Sequence, residues 1–171
     1  MDYTIHGPFE IPRDNGLTAR QPAAKRIFWQ RVEDSETGLS EACGCYILIL
    51  RNVVWYAGLA ARQSFRQECF TPHKVMLYDH ALNTITANPQ LLLLAKRTPQ
   101  GRFARPATTP AKDIEFLEDL LIAYGIRRND KILNIRGTLH LREMHVPGIL
   151  NSTQGEGRAA SVQALRTALG L

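Results

Sequence analysis

Apolar and polar positions along the 171-residue chain fall into a small set of readable patterns. Cys45-Tyr-Ile-Leu-Ile-Leu50 and Val53-Val-Trp-Tyr-Ala57 are apolar runs rich in β-branched and aromatic residues, separated by Arg51-Asn52. Two such runs joined by two residues predict a tight antiparallel hairpin, with Asn52 suited to a positive φ. Gly58 ends the second run, and residues 59–69 have helical composition. Thr71-Pro72 places a capping residue before a proline at the first helical position, predicting a helix that runs to about residue 82. After the Asn88-Pro89 turn, residues 90–96 read as a third, buried strand. Residues 98–111, rich in Pro, Gly and Arg, predict a loop whose length suggests a functional or mobile role. Residues 113–124 set Ile114, Leu117 and Leu121 on one helical face, which Tyr124 could extend, with Gly125 as terminator. Residues 139–144 read as a further strand and 158–169 as a closing helix.

The first 40 residues are patterned differently. Gly7-Pro8, Pro12, Asn15-Gly16 and Pro22 form turns around one helical segment, 23–32. This predicts an N-terminal extension packed on the core through Phe28 and Trp29, which read as core anchors in preference to a base-stacking platform. No internal repeat or low-complexity tract occurs. The order ββα(α)βα around a small sheet is an α+β arrangement.

Composition narrows the class. A hydrophobic content of 44% supports a packed core and excludes global disorder. The longest apolar runs, CYILIL and LLLLA, are far too short to span a bilayer. Asp2 stands where an export signal would carry positive charge, and no long apolar stretch follows. Cys43, Cys45 and Cys69 form neither a CxxC pair nor an even-numbered framework, so a reducing, cytoplasmic setting without membrane association is expected. The net charge of +5 hides a contrast: residues 44–112 sum to +7, and residues 113–134 to −2. A basic centre beside a small carboxylate cluster suits a polyanion, although a solvated basic surface would look the same.

Candidate chemistry collects at the hairpin. Antiparallel pairing can set Tyr46 and Tyr56 side by side, and Gly58 lets the backbone approach a ligand closely. Arg62 and Arg66 are four residues apart on one helical face, and Glu115 and Glu118 lie near an apolar stripe. Other candidates carry less. Cys43-x-Cys45 has no histidine to complete a zinc set, His140 and His145 are read as ordinary, and Gly155-Glu-Gly157 is read as a turn.

The ordered set resembles the GIY-YIG nuclease family. Gly44-Cys45-Tyr46 matches the first tripeptide and Tyr56-Ala57-Gly58 the second; Arg66 follows Gly58 by eight residues, where the family places its catalytic arginine. Glu118-Asp-Leu-Leu-Ile122 matches the E-x-x-L-I stretch of the metal-binding glutamate, and Asn134 matches the asparagine that closes the motif. The resemblance covers about 44–134 and implies a three-stranded antiparallel sheet flanked by helices. Residues 1–43 and 135–171 are then N- and C-terminal extensions, the second with a closing helix. It further implies a DNA endonuclease hydrolysing phosphodiester bonds with a single Mg2+ or Mn2+.

In that reading Glu118 holds the metal and Arg66 stabilises developing charge with its fixed fork of donors. Tyr46 orients or deprotonates water, and Tyr56 supports it. Gly44, Gly58 and Asn134 are the structural members. Arg62, Lys74, Arg102 and Arg105 are the candidate nucleic-acid contacts, to DNA or RNA. Leu59 replaces a residue often polar in the family, and Phe70 stands where a histidine or tyrosine is usual; His73 and His80 are candidate accessory bases or surface residues. A non-catalytic nucleic-acid-binding module with the same fold is the alternative.

Overall fold

A computed structural model describes residues 1–109, 111–134 and 138–171, the side chains of 139–141 excepted. His140, read above as ordinary, therefore lies outside the described side chains, and residues 135–137 after the predicted 134/135 boundary lie outside the description altogether. The chain divides into two compact units, Met1–Leu133 and Asn134–Leu171.

The first unit is built on a mixed α+β plan. Strands β1 (Asp2–Glu10), β4 (Gly44–Leu50), β5 (Val53–Ala60) and β6 (Gln90–Arg97) form one antiparallel sheet in the order β1-β6-β4-β5. The short strands β2 (Arg13–Asp14) and β3 (Leu17–Thr18) pair separately. The main sheet thus has four strands where three are predicted. The extra strand comes from the N-terminal segment, whose Gly7-Pro8 pair reads as a turn in the sequence. In the fold this pair falls at a register shift between His6 and Phe9, and β1 is an edge strand. Proline, having no N–H to give, is tolerated at such an edge position.

The predicted hairpin forms, with Arg51 and Asn52 both at positive φ (50° and 61°), as a two-residue connection of matching twist requires. The helical composition of residues 59–69 resolves differently, because β5 continues to Ala60 and helix α2 is the single turn Phe65–Glu68. At its start, Gln67 Oε1 accepts the Ser64 N–H at 3.1 Å. Helix α1 covers Pro22–Ser35, and α3 covers Pro72–Thr84 behind its Thr71 cap and first-turn proline.

Alternation along the central strand β4 sorts the core into two layers. Tyr46, Leu48 and Leu50 share a buried cluster with Phe28, Trp29, Phe65, Cys69, Phe70 and Tyr78, contributed by α1, α2, α3 and the short connection between the last two. Cys45 and Ile47 face the opposite layer, where Ile114, Leu117 and Leu121 of helix α4 (Lys112–Ile126) pack. Gly125 lies inside α4 and does not end it: a Cβ there would stand 2.7 Å from Ile132 Cδ1 and 3.3 Å from Val54 Cγ1, so its lack of a side chain serves close packing.

Polar ties fasten the N-terminal segment to both layers. Tyr3 Oη donates to Asp113 Oδ2 at 2.9 Å, and Lys96 Nζ pairs with the same carboxylate at 2.7 Å. Buried Asp79 of α3 accepts the Thr18 N–H at 2.8 Å and an Arg20 N–H at 3.0 Å.

In the second unit, Thr138–Glu143 forms a helix, α5, where a strand is predicted. A bridge joins Val146 to Leu150, a single 3-10 turn spans Glu156–Arg158, and α6 covers Ala160–Ala168. Among the described residues, no helix is long and apolar enough to cross a membrane.

Candidate functional site

The hairpin register places Tyr46 opposite Gly58 and Leu48 opposite Tyr56. Because opposed residues share a face, both tyrosines enter the layer beneath α2 and α3, with ring centroids 6.1 Å apart. The register then jumps from Leu48↔Tyr56 to Ile49↔Val54, so Trp55 is an inserted residue in β5. Gly58 provides the room between the rings. A Cβ at this position would stand 2.5 Å from Tyr46 Cζ, 2.6 Å from its Oη and 2.8 Å from Tyr56 Cε1. Gly44 is constrained by backbone: a Cβ there would collide with the Leu94 carbonyl oxygen on the neighbouring strand.

The two phenols have different surroundings. Tyr46 is fully buried, and its hydroxyl has no hydrogen-bond partner among the described residues. Burial pushes its pKa well above the ordinary phenol value, with Tyr78, Cys69, Tyr56 and Glu68 adding in the same direction. Tyr46 is therefore a phenol that keeps its proton. Tyr56 instead accepts a hydrogen bond from Lys74 Nζ at 2.6 Å, and that ammonium lies 3.5 Å from Glu68 Oε1.

Glu118 projects from α4, in the layer on the other side of the sheet. Burial pushes its carboxyl up to about 7; the charges of Asp119, Glu115 and Glu68 act in the same sense, and Lys74 opposes them. Lys74 and Glu68 belong to the other layer, so their charges act on Glu118 past β5, an edge strand of the sheet. A cleft of about 340 Å³ lies at that end of β5, lined by Leu59, Arg62, Glu68 and Glu115 among others, with Thr109 and Ala111 from the long loop.

Tyr46, Tyr56, Gly58, Lys74 and Glu68 thus come together. Arg66 takes another direction: its Nε and one terminal nitrogen donate to Ser40 Oγ at 3.2 and 2.9 Å, and Nε lies 3.1 Å from Glu41 Oε1. Two residues along one helical turn point nearly oppositely, so Arg66 and Glu68 cannot share a side of α2. Arg62 lines the cleft. Arg102 and Arg105 are exposed on the loop, and His73 and His80 on α3. Asn134 opens the second unit, where its carbonyl accepts the Thr138 hydroxyl at 3.0 Å.

Sequence reasoning missed Glu68 and gave Lys74 a surface role. Two residues after Arg66, Glu68 has no spacing signal; an acidic residue within the +7 segment was the available cue.

Among the described residues, no three His, Cys, Asp or Glu side chains form a cage for a metal ion. A hard divalent cation that retains most of its waters needs less, one or two carboxylates. Glu118 fits that need: its carboxyl, crowded by burial and other carboxylates, is relieved by a cation. No protein-family model matches the chain, nor does any curated protein or solved structure.

Proposed function

We propose that this chain is a divalent-metal-dependent DNA endonuclease of GIY-YIG type. The observation that carries the reading is the Tyr56–Lys74–Glu68 array near the cleft at the β5 edge, with the charges of Lys74 and Glu68 acting on Glu118. Hydrolysis adds water across one P–O ester bond, leaving a phosphate monoester and an alcohol, and charge grows on the phosphoryl and leaving oxygens. Mg2+ or Mn2+, held by Glu118, would supply Lewis-acid stabilisation of that charge. Tyr56 offers a hydroxyl donor, with the fully buried Tyr46 packed beside its ring, and Arg62 offers a cationic fork on the cleft wall. Arg66 reaches a phosphate only by leaving both Ser40 and Glu41, a move open to a side chain that is 47% exposed.

The test is incubation of supercoiled plasmid with the purified protein, with and without Mg2+ or Mn2+. Cleavage that needs the metal and disappears in Glu118→Ala supports the reading; identical products from wild type and variant refute it. The engagement of Arg66 by Ser40 and Glu41 favours a second reading, a nucleic-acid-binding module that does not cut. Salt-sensitive DNA binding without cleavage under either metal selects that alternative.

A further inference from the structure

Lys74 is poorly placed for the surface role that its charge suggests. Its side chain is 14% exposed, and its ammonium is committed to Tyr56 Oη at 2.6 Å and Glu68 Oε1 at 3.5 Å. A lysine this buried is costly unless paired, and a free phosphate contact would leave it in water. Burial disfavours the charge, yet Tyr56 and Glu68 outweigh it and lift the Lys74 pKa above the ordinary lysine value. The group at the Tyr56 oxygen is therefore a fixed cation.

An ammonium can donate but cannot accept. The Tyr56 oxygen thus spends a lone pair on Lys74, and its own proton must point elsewhere. We propose that Lys74 is a positioning residue of this site: it orients the Tyr56 hydroxyl so that its proton is offered to an oxygen of the reacting phosphate, while Glu68 holds the ammonium in place. This rests on the nuclease reading above. It makes Tyr56, not Tyr46, the phenol whose direction is set by charge. Tyr46 has a hydroxyl with no hydrogen-bond partner among the described residues.

The test is steady-state plasmid cleavage by Lys74→Met, Lys74→Arg, Tyr56→Phe and the Lys74→Met/Tyr56→Phe pair, all in the full chain. Misdirecting one donor predicts a loss in kcat of about 10- to 100-fold for Lys74→Met, with KM for DNA within about threefold. Lys74→Arg recovers activity, because a guanidinium also donates. The double variant is no slower than Tyr56→Phe alone, because Lys74 acts through that hydroxyl. Melting temperature and near-ultraviolet circular dichroism check folding; if Lys74→Met does not fold, Lys74→Gln, which keeps a donor without the charge, gives an intermediate kcat.

Wild-type kcat in Lys74→Met overturns the proposal, and so do multiplicative losses in the double variant. A weakened salt dependence of DNA binding with kcat unchanged makes Lys74 a phosphate contact and overturns it too. Cleavage that requires Glu118 but ignores Lys74 sinks this inference alone. A wild-type protein that cuts no DNA with either metal sinks the nuclease reading and this inference with it.

Discussion

Replacing Tyr46 by phenylalanine should stabilise the protein and leave its chemistry unchanged. The ring is fully buried, and its hydroxyl has no partner among the described residues. A buried hydroxyl without a hydrogen bond costs about 1–3 kcal/mol. Phenylalanine keeps the ring and removes that cost, leaving an oxygen-sized gap worth about 1 kcal/mol in lost packing. The balance is a gain of about 1 kcal/mol, or a melting temperature higher by roughly 2–4 °C for a chain of this size. Tyr78 is the internal control. It is equally buried, but its hydroxyl donates to the Cys69 carbonyl at 2.8 Å, so Tyr78→Phe should lose about 1 kcal/mol. Urea unfolding of both variants, with unchanged slopes, should separate them by about 2 kcal/mol. Plasmid cleavage should hold in both variants, because neither hydroxyl is open to substrate. A Tyr46→Phe variant that loses 1 kcal/mol or more would refute the reasoning, since its hydroxyl would then be satisfied in the folded protein.

Glu118 gives a pH-dependent counterpart. Burial pushes the folded carboxyl up to about 7, above the ordinary glutamate range, so wild type loses stability as pH rises through that window while Glu118→Gln does not. The full shift corresponds to about 3 kcal/mol; partial exposure reduces this to about 1–2 kcal/mol in favour of Glu118→Gln at pH 8, and matching stability curves from pH 5 to 8 would count against it. Mg2+ should raise the wild-type melting temperature more at pH 8 than at pH 6, and should leave Glu118→Gln unmoved. Gly58→Ala should cost about 1–3 kcal/mol in urea unfolding, because its Cβ meets Tyr46 Cζ at 2.5 Å between two packed rings. Asp79→Asn should cost about 1–3 kcal/mol and speed amide exchange at Thr18, whose N–H the carboxylate accepts; unchanged exchange would show that this bond carries no weight.

Much of the scaffold can be read from the sequence because its signals are local. Arg51-Asn52 between two β-rich runs specifies the hairpin, Thr71-Pro72 starts α3, and the Ile114/Leu117/Leu121 stripe turns α4 toward the sheet. The errors also have local causes. Gly7-Pro8 disguises β1 as a turn, because pairing with β6 tolerates a register shift that no propensity encodes. Residues 139–143 alternate apolar and polar as a strand would, and six residues are too few for a 3.6 period to declare itself in α5. At the site, the approach of Tyr46, Tyr56 and Gly58 follows from strand pairing, and Glu118 from the margin of its stripe. The Lys74 contact is tertiary: it joins α3 to β5, which spacing cannot report. For Arg66, the deciding partners Ser40 and Glu41 come from the segment before the matched motif, outside the span that suggested its role.

The two borders of the main sheet carry opposite obligations. Beyond β5 the backbone is already met at both ends: Leu133 N–H bonds to Trp55 O at 2.8 Å, and Ala107 N–H to Ala61 O at 3.2 Å. A further strand on this side would have to displace both of these connections. Growth of the sheet is therefore confined to the far border, and the N-terminal strand β1 occupies that place. An engineer adding a strand, a tag or a fused domain should build from β1. The border at β5 is already closed by the chain's own later segments.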